Sequence, residues 1–158
     1  MTARVEKLIR PAQKLSEWEK EKYVHDFICE NIRYDKLKKS YSHEIIGPLG
    51  QGVGVCEGIA KAVKVLLDAL GVWCVIAICG NNPEKGIKYR HTWNIVKIGG
   101  TYYHLDATFD NTLGKDRETS QDYFHRLQSH NRLPVHLTKP LLLLQFPHKH
   151  QLLAPTVR

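Results

Sequence analysis

The chain has 158 residues, 42% hydrophobic and 25% charged, enough to bury one sizeable core and too few to suggest a second domain. Its net charge of +7 at pH 7 raises a nucleic-acid or membrane-surface partner. Acidic residues are interleaved with the basic ones, as in EWEKEK, and the densest group, KLKK at Lys36 to Lys39, is short, so a solvated basic surface with neither partner is expected.

The N-terminal stretch MTARVEKLIRPAQKL lacks the charged-then-apolar design of a signal peptide. The longest apolar runs, VWCVIAIC and LLLL, fall far short of the roughly 20 residues a membrane-spanning helix needs. A cytoplasmic protein is expected, although a piece of a longer exported chain would read the same. Cys29, Cys56, Cys74 and Cys79 form no CxxC pair and have no metal-ligand spacing, which predicts free thiols, no structural zinc and no disulfide framework.

Ser16 and Glu19 match a capping box and predict a helix running to about Ile32, with Trp18, Val24, Phe27 and Ile28 as its buried stripe and its lysines and glutamates wet. Residues 34–54, rich in Gly, Pro, Ser, His and Lys, read as one long connection, a kind of segment that is often functional. After Cys56, apolar residues at Ile59, Val63, Leu66, Leu67 and Leu70 follow a helical period. Glu57, Lys61, Lys64 and Asp68 fall opposite, and Gly71 stands where a left-handed cap is wanted.

Val72 to Cys79 reads as a buried strand and NNPEKG as a turn. HTWNIVKI and TYYHLDAT, split by Gly99-Gly100, carry the signature of a tight hairpin. Helices first and strands after predict an α+β domain over 1–158, with its core at about 16–110. Beyond Asp110 the pattern weakens: DYF and LLLLQF read as further strands and HKHQLLAPTVR as a frayed end.

A two-residue hairpin turn makes paired positions sum to 199 (98 + 101), which sets His91 opposite Thr108 and Trp93 opposite Asp106 on one face. His91 and Asp106 then become diagonal neighbours within reach of an imidazole–carboxylate hydrogen bond. A carboxylate fixes the tautomer of a histidine that serves as a base. Cys56, at a helix start, would have its thiol pKa lowered by the helix dipole and by a nearby imidazole, and its backbone amide would face a developing oxyanion. Taken singly, each residue has a plainer reading. Cys56 is a small buried hydrophobe, His91 a structural strand histidine, and Asp106 a polar residue near a strand end.

GVCEGIAKAVKVLLDALGV followed by HTWNIVKIGGTYYHLDATFD resembles the transglutaminase-like superfamily, in particular its bacterial members, and NIRYD resembles the segment that precedes their catalytic core. The resemblance covers roughly Ser16 to Asp110. It implies a papain-like α+β fold, with the nucleophile leading a central helix packed on an antiparallel sheet. It assigns Cys56 as nucleophile, His91 as general base and acid, and Asp106 as the orienting carboxylate.

The family chemistry it implies is acyl transfer from an amide, to an amine or to water, on a protein or peptide substrate; a related branch removes glycans from asparagine. Gln51, five residues before Cys56, is either a second oxyanion donor, as in papain-like proteases, or an ordinary loop glutamine. Trp93 either walls the cleft or is plain core, and His104 is structural. The chain departs from the bacterial pattern after DYF, where it reads HRLQSHNRLPVHLTKPLLLL, and this leaves substrate choice open. No D-x-D-x-D-G calcium loop is present, and His125, His130, His136, His148 and His150 lack ligand spacing apart from H-K-H, so no cofactor or metal is expected. A fold-retaining module that binds peptide or cell-wall material without catalysis is the rival reading.

Overall fold

In the computed structural model, residues 1–80 and 90–114 are described. The turn NNPEKG, the strands expected at DYF and LLLLQF, and the five C-terminal histidines lie outside them. The elements run α1 (Thr2–Ile9), α2 (Glu17–Asn31), β1 (Arg33–Tyr34), β2 (Val53–Gly54), α3 (Cys56–Ala69), β3 (Cys74–Cys79), β4 (His91–Ile98), β5 (Thr101–Leu105) and α4 (Ala107–Gly114). Among the described residues, β3, β4 and β5 form one antiparallel sheet in that order, and β1 and β2 form a short parallel pair.

The capping box starts α2 as expected. The Glu19 amide donates to the Ser16 hydroxyl oxygen, and the Ser16 amide donates to the Glu19 carboxylate. Val24 and Ile28 are fully buried, whereas Trp18 and Phe27 are only partly so. The expectation that glutamates on this helix stay wet fails at Glu21, which is buried along with His25. The helix shows a polar stripe to the interior, and α4 supplies part of what that stripe meets.

All five predicted apolar positions of α3 are buried. A Schellman motif ends the helix: Gly71, at φ 75°, donates from its amide to the Asp68 carbonyl, and Val72 donates to that of Leu67. At the other end, Gly58 lies against the turn at Ser40–His43, where a β-carbon would come 2.1 Å from the Ser42 carbonyl oxygen. Only glycine lets the first turn of α3 approach that loop so closely.

The 34–54 connection is ordered rather than open. Asp35 accepts hydrogen bonds from the amides of Leu37 and Lys39 and from the Ser42 hydroxyl. A π turn at Gly47–Gln51 then delivers the chain to β2, where Tyr34 pairs with Gly54, two residues before Cys56.

The hairpin has the predicted register: Ile98 pairs with Thr101 and Asn94 with Leu105, across a turn in which Gly99 and Gly100 both take positive φ. Two expectations change here. β3 lies at the sheet edge among the described strands, so it is half-buried, and Ile78 is exposed. β5 stops at Leu105 and α4 begins at Ala107, so Thr108 lies in a helix and does not face His91. The physical reason is a cap. Asp106 accepts the Phe109 amide at 3.0 Å through Oδ1, and its own carbonyl accepts the Asp110 amide, which turns the strand into a helix at that residue.

The first ten residues, without a predicted element, form α1, whose Val5 and Ile9 join the core with residues of α2 and α3. Asn94 ties sheet to helix: its buried side-chain amide donates to the Ala60 carbonyl of α3 at 3.0 Å. No helix among the described residues is long and apolar enough to cross a membrane.

Candidate active site

Cys56 is the first residue of α3, half-buried, where backbone amides have no intrahelical partner. Its thiol pKa is lowered first by a hydrogen bond with His91, against the opposing effect of burial, and then by the amides of Thr92 and Glu57. The helix start and the first residues of β4 therefore both place donors at the sulfur, which favours the thiolate.

His91 opens β4. Its Nε2–H donates to Asp106 Oδ2 at 2.6 Å, and its side chain is 32% exposed. Burial alone would lower its pKa. The hydrogen bonds and charges of Asp106 and Cys56 outweigh that and push it up to about 10. With Nε2 committed to the carboxylate, Nδ1 is the ring nitrogen left for the thiol. Both shifts run in the direction that favours a thiolate beside an imidazolium.

Asp106 is oriented from two sides, one oxygen on His91 and the other on the first turn of α4. Its diagonal placement across the hairpin follows from the two-residue turn, and the α4 cap is what holds the carboxylate there once β5 has ended.

Trp93, buried, lies nearly parallel to the His91 ring with centroids 5.8 Å apart, and it also packs with Ala77 and Ile95 in a second small core. Trp93 is thus a core residue that also stacks on His91. Its indole N–H donates to His104 Nδ1 at 2.9 Å, which fixes His104 as the Nε2–H tautomer. Burial lowers the His104 pKa against the pull of Asp106, and a neutral ring suits an Nδ1 acceptor. Gln51 ends the π turn and is exposed, with no hydrogen bond to Cys56 among the described residues.

A second group of the same residue types was not anticipated. On α2 and α4, His25 donates from Nδ1 to Asp26 at 3.2 Å and from Nε2 to Asp110 at 3.1 Å, with Cys29 Sγ 3.5 Å from the same Nε2. The i, i+4 spacing of His25 and Cys29 was a visible signal for half of it. The other half is carried by α4, a helix not foreseen. All four cysteines are free, and burial pushes the Cys74 thiol up to about 12, as for an inert structural thiol.

The sequence profile of the transglutaminase-like superfamily matches residues 2–107. Among solved structures, a protein described as a TGase superposes with a TM-score of 0.56 at 16% identity, over 67% of this chain and 31% of that one, a likeness of fold. A proposed cysteine protease from Cytophaga hutchinsonii gives a TM-score of 0.47 at 22% identity, over 58% and 31%. The chain thus spans about a third of the length of either protein. No curated protein sequence matches it.

Proposed function

The chain belongs to the transglutaminase-like superfamily, and from that membership and the geometry at Cys56 we propose that it is a cysteine-dependent acyl-transfer enzyme that cleaves an amide bond, with Cys56, His91 and Asp106 as its catalytic residues. The observation that carries this reading is the His91–Asp106 hydrogen bond of 2.6 Å beside a cysteine at a helix start.

Cys56 thiolate attacks the acyl carbon. The electron pair of the carbonyl moves to oxygen, where the amide of Cys56 stabilises the oxyanion. As the tetrahedral intermediate collapses, the C–N bond breaks and the His91 imidazolium gives its proton to the leaving amine, which leaves a thioester and a neutral imidazole. Water or a second amine then attacks the thioester, His91 takes the proton, and thiolate and imidazolium are restored. Asp106 holds the ring and its charge throughout.

Gln51 is the candidate second oxyanion donor on position alone, and removing such a donor costs about 10²-fold or more in kcat. Trp93 covers one face of the imidazole and shields it from water. Peptide or isopeptide bonds are the proposed substrates, with hydrolysis favoured over crosslinking.

The test is an amidase screen with and without a primary amine, run on wild type and Cys56→Ala. Turnover that depends on Cys56 supports the reading, and amine incorporation distinguishes a transferase from a hydrolase. Equal activity of the two proteins sinks it. Iodoacetamide near neutral pH gives an independent check, since a nucleophilic Cys56 is modified ahead of Cys29, Cys74 and Cys79. Uniform slow labelling would favour a non-catalytic binding module.

A further inference from the structure

We propose that the buried His25–Asp110 pair is a positioning device for the active site: it fastens α4 to α2 so that Asp106, at the start of α4, meets His91. The proposal rests on the reading of Cys56, His91 and Asp106 given above.

A helix of eight residues has little stability of its own, so its place is set by what it is tied to. Polar ties join α4 to α2 beside the buried Ala107. Asp110 accepts from His25 at 3.1 Å, and the buried Asn111 side chain donates to the carbonyls of Ile28 at 3.1 Å and Ile32 at 2.7 Å, at the C-terminal end of α2. The Cys29 thiol points at the Ala107 carbonyl at 3.9 Å. One turn before Asp110, Asp106 has one carboxylate oxygen on the α4 backbone and the other on His91. Any rotation or slide of α4 therefore moves the oxygen that holds His91. A hydrogen bond of 2.6 Å leaves little slack.

The wiring of His25 suits a tether and not a second catalytic base. Both ring nitrogens donate to carboxylates, Nδ1 to Asp26 and Nε2 to Asp110, so the ring is the charged partner of both and no nitrogen is left to take a proton. Among the described residues, the charged and titratable groups facing it include Asp110 from α4, with Asp26 and Cys29 from its own helix; Lys22 pairs in turn with Asp26. Asp110→Asn keeps the shape and removes the charge that holds the imidazolium.

The experiment measures the rate of Cys56 modification by iodoacetamide against pH, read by peptide mass spectrometry, on wild type and Asp110→Asn, with circular dichroism to confirm that each is folded. Loosening Asp106 weakens the hold on the His91 charge, so the thiolate should form at higher pH. The acid limb of Cys56 labelling should move up by about half a pH unit or more, while Cys79 labelling keeps its wild-type profile. If Asp110→Asn does not fold, Asp26→Asn, at the wetter end of the tether, decides the matter, with a smaller shift in the same direction expected. Wild-type limbs in every folded variant, with Cys56 still labelled first, overturn the positioning role and leave the proposed function standing. Wild-type labelling that does not favour Cys56 overturns the reading beneath both.

Discussion

Cys56, His91 and Asp106 are the same three residue types as Cys29, His25 and Asp110, and the two sets share α4, which carries Asp106 at its cap and Asp110 one turn later. They differ in wiring. His91 gives one nitrogen to a carboxylate and keeps the other for a thiol at a helix start, with part of its ring open to solvent. His25 gives both nitrogens to carboxylates, has a side chain only 8% exposed, and shares Nε2 between Asp110 and a sulfur in the body of a helix. Proximity of cysteine, histidine and aspartate therefore does not define a nucleophile. The proposed nucleophile differs in having a ring nitrogen to itself, a helix terminus and access.

The largest expected effect separates the two cysteines. Cys56→Ala should lower amide turnover by about 10³-fold or more, whereas Cys29→Ala should leave it within about 2-fold. An assay in which both variants lost activity alike would erase the distinction.

Stability should sort the histidines the other way. His25→Ala strands Asp110 in a buried site and should cost about 3–5 kcal/mol in urea unfolding. The pKa of His25 is raised well above 6.5: burial opposes the charge, and the hydrogen bonds to Asp110 and Asp26 more than restore it. Because the folded value lies above the unfolded one, this contribution is fully present below about pH 6.5 and is lost as pH rises through the raised value. The stability gap between wild type and His25→Ala should therefore narrow in alkali.

His91→Asn should leave the fold intact and slow Cys56 alkylation at pH 7 by about 10-fold or more, because the thiol loses the main cause of its lowered pKa. For turnover, the acid limb should follow protonation of the Cys56 thiolate, and the alkaline limb should follow loss of the His91 proton near the value of about 10 to which its partners push it. A Cys56→Ser variant with an unshifted acid limb would contradict that assignment. The smallest effect belongs to Trp93→Phe, which keeps an aromatic face on His91 but removes the N–H bonded to His104. It should cost about 0.5–1.5 kcal/mol of stability and leave the pH limbs in place.

Much of the candidate active-site region was legible because it depends on local periodicity. Five apolar positions at helical spacing specify the face of α3, and with it the helix start at Cys56. Two glycines set the hairpin register, which makes His91 and Asp106 diagonal neighbours. The limit of that register was not legible. Asp106 reads equally well as a strand residue or a helix cap, and Thr108 changes from a sheet position to a helical one with that choice. Glu21 looked like a solvent position and nothing marked His25 as buried, because residue type predicts exposure unless a partner from elsewhere in the chain compensates burial.

The sequence by itself determined that α2 and α3 precede the β4–β5 hairpin, the helix start at Cys56 and the pairing of 98 with 101, since each rests on contacts between near neighbours in the chain. The tertiary structure alone decided that α4 docks on α2 through His25, Asp110 and Asn111, partners 79 to 85 residues apart. It likewise decided which cysteine has an imidazole nitrogen to itself. Pairing over such distances depends on how helices pack, and no local spacing encodes it.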